Sequence, residues 1–219
     1  IGHQVIVNEL REGITELELY GDVMAKMIAA GGEFPALIPV FNAAKVVDGK
    51  VQSTGHSMAS HKPIKKGTVL WADLFGVFHR YHVNALRGYY LGDDAPQVIV
   101  DQYRRAGGVF DVFKTDIKAG MTVGDVNDRL RIFYKEAGIS TETDGWALGY
   151  ELGLSLPPDW VGEFYFHLGD DRYLDRVFEV NMVTNFESLF NSTLIDTLIY
   201  TESGTRVLSK TPLELIVVP

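Results

Sequence analysis

Residues 13–31 read GITELELYGDVMAKMIAAG, and residues 120–138 read GMTVGDVNDRLRIFYKEAG. Both run from glycine to glycine over the same length, open on Gly-x-Thr, close on Ala-Gly, and begin 107 residues apart. In each, a threonine is followed three residues later by an acid: Thr15 with Glu18, and Thr122 with Asp125. That is capping-box spacing. The hydroxyl accepts from an otherwise unpaired amide of the first helical turn, and the acid reaches back to the threonine amide. Leu17, Val23, Met24, Met27 and Ile28 fall on one face of the first predicted helix, and Val126, Leu130 and Phe133 on one face of the second. Gly31 and Gly138 stand where a helix ends by turning left-handed. Two such units imply an internally duplicated α/β fold.

Between and after the helices the pattern turns to strands. Ala36–Val40, Thr68–Leu74, Val77–Tyr81 and Leu86–Leu91 are strand-like, with Gly76 as a turn. Helical pattern returns over Pro96–Lys118, interrupted by Gly107-Gly108. The segments RVFEVNMVTNFESLF and TLIDTLIYTESGTRVLS read as strands near the end of the chain. No linker, charge run or low-complexity segment divides the sequence. The expectation is one α+β domain over residues 1–219, with two pseudo-symmetric halves around a mainly antiparallel sheet.

The bulk numbers narrow the function. At 219 residues with 46% hydrophobic and 22% charged residues, the chain has the composition of an ordinary globular protein with a sizeable core. A net charge of −9 would repel a phosphate backbone or an acidic membrane surface, so neither nucleic acid nor membrane is expected as a partner. No apolar run reaches the roughly 18–20 residues that span a bilayer, and there is no signal-like segment. The absence of cysteine removes disulfides, thiolate nucleophiles and thiolate metal ligands, and fits a cytoplasmic protein. The chain begins with Ile1 rather than Met, which reads as a processed or excised piece.

Candidate chemistry gathers at strand ends and turns: Asp73, His79, His82, Asn84, His56, His61, Tyr150, Glu187 and Asp196. An acid on an apolar strand, as Asp73 is in VLWADLF, costs several kcal/mol if buried unpaired, so it has a partner, a ligand or solvent. Glu187, inside VNMVTNFESLF, has little packing reason to be there and is the strongest single candidate.

The order of these motifs resembles the pita-bread superfamily of methionine aminopeptidase, aminopeptidase P, prolidase and creatinase. The resemblance covers nearly the whole chain, from REGITELELYGDVMAKMIAAGG to IDTLIYTESGTRVLS. The segment GYELGLSLPPDW is most similar to the creatinase and ectoine-hydrolase-like branch. It implies a pita-bread fold, two α/β halves around a curved sheet, which accounts for the duplicated helices. It also implies an N-terminal domain that this chain lacks, and a homodimer or an assembly with a separate N-terminal chain. In the superfamily five side chains hold two metals. The matching positions here are Asp73, Asn84 (with Arg87 retained three residues on), Tyr150, Glu187 and Ile195 with Asp196 beside it. Two of the five keep a carboxylate. A bulge would be needed to turn Asp196 inward, since strand neighbours point to opposite faces. Two divalent cations require more anionic oxygen than Asp73 and Glu187 offer, so no metal and no cofactor is expected.

Creatinase, by the same resemblance, cleaves a C–N bond without metal. The expected function is therefore a metal-independent, hydrolase- or lyase-like enzyme acting on a small amide, amidine or amino-acid-derived substrate. Its expected catalytic residues are Glu187, His79, His82 and Tyr150, and its substrate-binding residues Asp73, Asn84, His56 and Arg87. A neutral histidine is a competent base near pH 7, and a tyrosine hydroxyl can donate to a developing oxyanion. Two alternatives stay open: a catalytically retired pita-bread module that binds a peptide, protein or small ligand, and a peptidase-like metallohydrolase with a reduced metal site.

Overall fold

The computed structural model describes residues 1–52 and 57–219. Both capping boxes form. Thr15 Oγ1 accepts from the Glu18 amide at 3.1 Å, while Glu18 accepts from the Thr15 amide at 2.8 Å. Thr122 and Asp125 repeat the pair at 3.1 and 3.0 Å. They open helices α2 (Glu16–Ala29) and α5 (Val123–Glu136), which follow the short α1 (Gly2–Glu9) and the pair α3 (Gln97–Gly107) and α4 (Val109–Asp116). Gly31 and Gly138, just past the ends of α2 and α5, have φ of 94° and 67°.

The duplication extends to the backbone around each cap. Gly13 donates to Ile64, Glu16 to Lys62 and Leu17 to Ser60; in the second half Gly120 donates to Phe178, Val123 to Arg176 and Gly124 to Leu174. The return bonds match as well, Ile64 to Ile14 and Phe178 to Met121. Each capped helix is thus tied at its start to an extended segment in the same register.

The strands are β1 (Phe41–Val47), β2 (Lys50–Val51), β3 (Thr68–Phe78), β4 (Tyr81–Leu91), β5 (Trp146–Tyr150), β6 (Tyr165–His167), β7 (Val183–Leu189), β8 (Thr193–Thr201), β9 (Gly204–Val207) and β10 (Ile216–Val218). They form one sheet in the order β2-β1-β3-β4-β8-β7-β5-β6, with β9 on β8 and β10 on β4. Every pairing is antiparallel except β10 with β4. The architecture is α+β, and the halves meet where Leu86 of β4 lies opposite Ile195 of β8. No helix among the described residues is long and apolar enough to cross a membrane.

Strand parity separates two environments. Leu70, Ala72 and Leu74 of β3 pack with Ile6, Leu19 and Val23 of α1 and α2. Trp71, Asp73 and Phe75 point to the opposite face and line a cavity. Both faces of β3 are therefore covered, which is why its sequence is apolar almost without alternation. In the second half Phe186 of β7 packs into the core with Leu130 and Tyr134 of α5, and Ser188 accepts from the Tyr134 hydroxyl at 2.9 Å. Glu187 and Leu189 face the same cavity.

Local expectations differ from the structure at four places. Ala36–Val40 is not a strand; pairing starts at Phe41. Gly76 lies inside a continuous β3, and the turn falls at His79-Arg80, both left-handed at φ 47° and 64°. Glu33 holds that turn by accepting from the His79 and Arg80 amides at 2.8 and 3.3 Å. On α2 the buried stripe is Glu16, Leu19 and Val23, while Leu17 and Ile28 are exposed. The rotation follows from Glu16, whose carboxylate is buried because it accepts from the Ala43 amide, the Ser60 amide and the Ser60 hydroxyl at 2.9, 3.1 and 2.7 Å. On α5, Val126 and Leu130 are buried as expected, with Tyr134 rather than Phe133 as the fully buried aromatic.

Candidate active site

The cavity on the inner face of the sheet measures about 290 Å³. Trp71, Phe75, Leu86, Leu189 and Ile195 make its walls largely apolar, Asp73, Glu187 and Tyr150 are polar groups from three different strands, and Asp144, Asn191 and Thr193 add others. Strands β3 and β4 from the first half, and β5, β7 and β8 from the second, thus converge on one small space. Leu148 of β5 lies opposite Glu187 of β7, which lies opposite Ile195 of β8; Ile195 in turn faces Leu86 of β4, and Leu86 faces Asp73 of β3. That unbroken cross-strand row is what brings the two acids, 114 residues apart in sequence, to one wall.

Asn185, not singled out in the sequence, sets the geometry of the second half. Its Oδ1 accepts from the Tyr150 amide at 2.8 Å and its Nδ2 donates to Glu187 Oε1 at 2.7 Å. It stands two residues before Glu187, on the same face of β7, which is the one sequence signal that could have found it.

The electrostatics follow from burial, which outweighs the pull of the Arg87 guanidinium on Asp73 from the far face of the sheet. Desolvation raises the Glu187 carboxyl to about 7, partly offset by the neighbouring Tyr150 and Asn185 side chains. Desolvation and the nearby Glu187 push Asp73 well above the usual carboxylate range. The Tyr150 phenol is pushed up by burial and by both acids, and keeps its proton. Asn84 lies beside Asp73, and its amide draws the carboxyl partly back down. Neither Asn84 amide atom, nor Asp73 Oδ1, meets the geometry of a hydrogen bond to any of the described residues, although all are buried.

The other expected site residues lie elsewhere. Arg87 sits on the opposite face of β4, fully buried, and all its donors go to protein: Pro212, Leu86, Ile195 and Thr211 carbonyls, the Ser209 hydroxyl, and the Asp196 carboxylate. Asp196 is therefore turned away from the cavity by a regular pleat, and Ile195 occupies the inward position. His79 is exposed at the hairpin tip. His82 shares the inner face with Asn84, two residues beyond it; its Nδ1 lies 3.0 Å from the Gly153 carbonyl and so carries the proton. Burial lowers its pKa, which keeps the ring neutral. It lies outside the cavity wall. His56 falls outside the described residues.

Residues 1–206 match the metallopeptidase family M24. The chain belongs to that family. It is 25% identical over 192 residues to the ectoine hydrolase of Halomonas elongata, covering 85% of this chain and 45% of that protein. It is 24% identical over 222 residues to the Xaa-Pro dipeptidase of Pyrococcus furiosus, covering 96% and 58%. The dipeptidase PepE structure from Mycobacterium ulcerans superimposes with a TM-score of 0.78 at 22% identity, over 100% of this chain and 56% of that one. The chain thus spans about half the length of the relatives it matches, and the pita-bread fold is shared across it.

The family name implies metal, and the donor set tests whether one fits. Among the described residues, no three His, Cys, Asp or Glu side chains converge as metal ligands would. Of the three acids on the cavity lining, Asp144 is used within its own loop, and Asp73 and Glu187 are both pushed toward their neutral forms; Asn84, Tyr150 and Ile195 stand at the other positions that the resemblance marks. Oxygen-rich dinuclear sites need several anionic ligands. The residues present do not fit that group.

Proposed function

We propose that this chain forms the catalytic-type half of a hydrolase-like M24 enzyme that works through its own acids rather than through metal, on a small amide, amidine or amino-acid-derived substrate. The observation that carries the reading is the pair of buried carboxyls, Asp73 and Glu187, facing one apolar cavity of small-ligand size, with no Lys, Arg or His among the described residues that line it. A structural pair would be matched by an arginine. Here the available one, Arg87, is committed on the far face.

The roles follow from the chemistry. A cationic amino or amidino group entering beside Asp73 neutralises its charge and draws the proton off the carboxyl. Glu187, held close to neutrality by burial, is matched to general acid–base work at pH 7. As a carboxylate it takes a proton from a water as the water oxygen bonds to the substrate carbon. As an acid it returns that proton to the leaving nitrogen while the C–N bond breaks. Tyr150 keeps its hydroxyl proton and offers it as a hydrogen bond to the oxyanion that develops between these steps. Asn185 holds the Glu187 carboxyl and the Tyr150 backbone in register. The test is Glu187→Gln. Lost turnover with retained ligand binding is expected; unchanged turnover sinks the acid–base role, and binding without turnover in the wild type favours a retired binding module.

A further inference from the structure

The buried stripe of α3 includes Ile99, Tyr103 and Ala106, and it brings one hydroxyl to the back of the cavity wall. Tyr103 is fully buried, and its Oη accepts from Trp71 Nε1 at 2.9 Å. The Thr193 backbone stands beside the same hydroxyl. Trp71 and Thr193 both line the cavity, one from β3 and one from β8, so Tyr103 backs the wall where the two halves meet. Room for the phenol comes from Gly88, which lies opposite Trp71 in the β3–β4 ladder. A Cβ at Gly88 would overlap the Tyr103 hydroxyl. Gly88 is not among the left-handed glycines, so the strand needs it for this space and not for its backbone angles.

The clamp fixes what this wall can recognise. With its one N–H bonded to Tyr103, the Trp71 indole offers a ligand carbon surface alone. Trp71 stands two residues before Asp73 on the same face of β3, and Phe75 two residues beyond it. The carboxyl is thus flanked along its strand by two aromatic side chains, and Phe190 adds a third to the cavity lining. An aromatic wall that cannot turn away favours a flat apolar group, which gains from stacking as well as from burial. We infer that Tyr103 is a positioning residue that, by clamping Trp71, makes the cavity select cations bearing an aryl or similarly flat unsaturated group. This deepens the reading above and rests on it only for the cation at Asp73. It narrows the substrate class to molecules whose cationic centre carries such a substituent.

The test is calorimetric binding of three probes to the full chain: acetamidine, benzamidine and the neutral benzamide. Wild-type protein should bind benzamidine about tenfold more tightly than acetamidine, the scale of stacking and burying one ring at a partly open site. Tyr103→Phe keeps the ring and removes the acceptor, and should cut that ratio to about threefold or less. In a Trp71→Leu background, with no indole to hold, adding Tyr103→Phe should leave the ratio unmoved. Urea unfolding of the same variants reads stability separately. A Tyr103 that is only structural lowers stability and leaves the wild-type ratio intact, and that result overturns the inference. So does a wild type that binds benzamidine no better than acetamidine or binds none of the probes, and so does an equal fall in the ratio in both backgrounds. Benzamide bound as tightly as benzamidine, with the ratio still depending on Tyr103, would instead overturn the cationic reading at Asp73 and leave the role of Tyr103 standing.

Discussion

Replacing Glu187 by glutamine should make the protein more stable, and only at neutral to alkaline pH. The folded carboxyl titrates near 7, against 4.5 for an unperturbed glutamate. Below pH 4.5 both the folded and the unfolded chain carry the proton, and the group imposes no charge penalty. Between 4.5 and 7 the unfolded chain ionises first, so stability falls as pH rises. Above 7 the penalty is complete, at about 3 kcal/mol. Glutamine has the same shape, keeps an oxygen to accept from Asn185 Nδ2, and carries no charge to desolvate. Urea unfolding of wild type and Glu187→Gln should therefore coincide near pH 4 and separate by up to about 3 kcal/mol at pH 8, which for a chain of this size moves the thermal midpoint by about 6–12 °C. A variant equally or less stable than wild type at pH 8 would refute the reasoning, because it would mean that the carboxylate is not desolvated. Stability sacrificed at a reactive group is the expected mark of a functional site.

Further outcomes follow from the fold. Asp196→Asn leaves the buried Arg87 guanidinium without its counter-charge and should cost about 3–5 kcal/mol, measured by urea unfolding, whereas Arg87→Met with Asp196→Leu should cost less than the single change. Thr15→Ala and Thr122→Ala should each cost about 1 kcal/mol and should add in the double variant, since the two caps are equivalent and far apart in sequence; a large inequality would count against the duplication.

Much of the fold was legible because its signals are local. A capping box and a glycine stop act over a few residues, so Thr15, Thr122, Gly31 and Gly138 announced both helices and their kinship. The helix face was misjudged where a distant partner decides it: Glu16 points inward only because the Ala43 and Ser60 amides wait for it. The hairpin turn was misplaced for the same reason. Gly76 looked like the break, but Glu33 stabilises the left-handed pair His79-Arg80 from outside the hairpin. At the site, Asp73, Tyr150 and Glu187 were recoverable from motif order, and strand parity correctly sent Asp196 away from the cavity. Arg87 kept its place in the pattern, yet side-chain direction put it on the far face, which spacing alone does not reveal. Asn185 carried no motif, and only the packed structure shows what it adjoins.

The central claim is that the chemistry belongs to the acids of the cavity and not to a metal. The direct test is the rate of hydrolysis of an amide or amidine substrate accepted by the cavity, before and after exhaustive chelation and again after adding zinc or manganese. The account predicts one rate under all three conditions. Loss of turnover on chelation, restored by either ion, would contradict it.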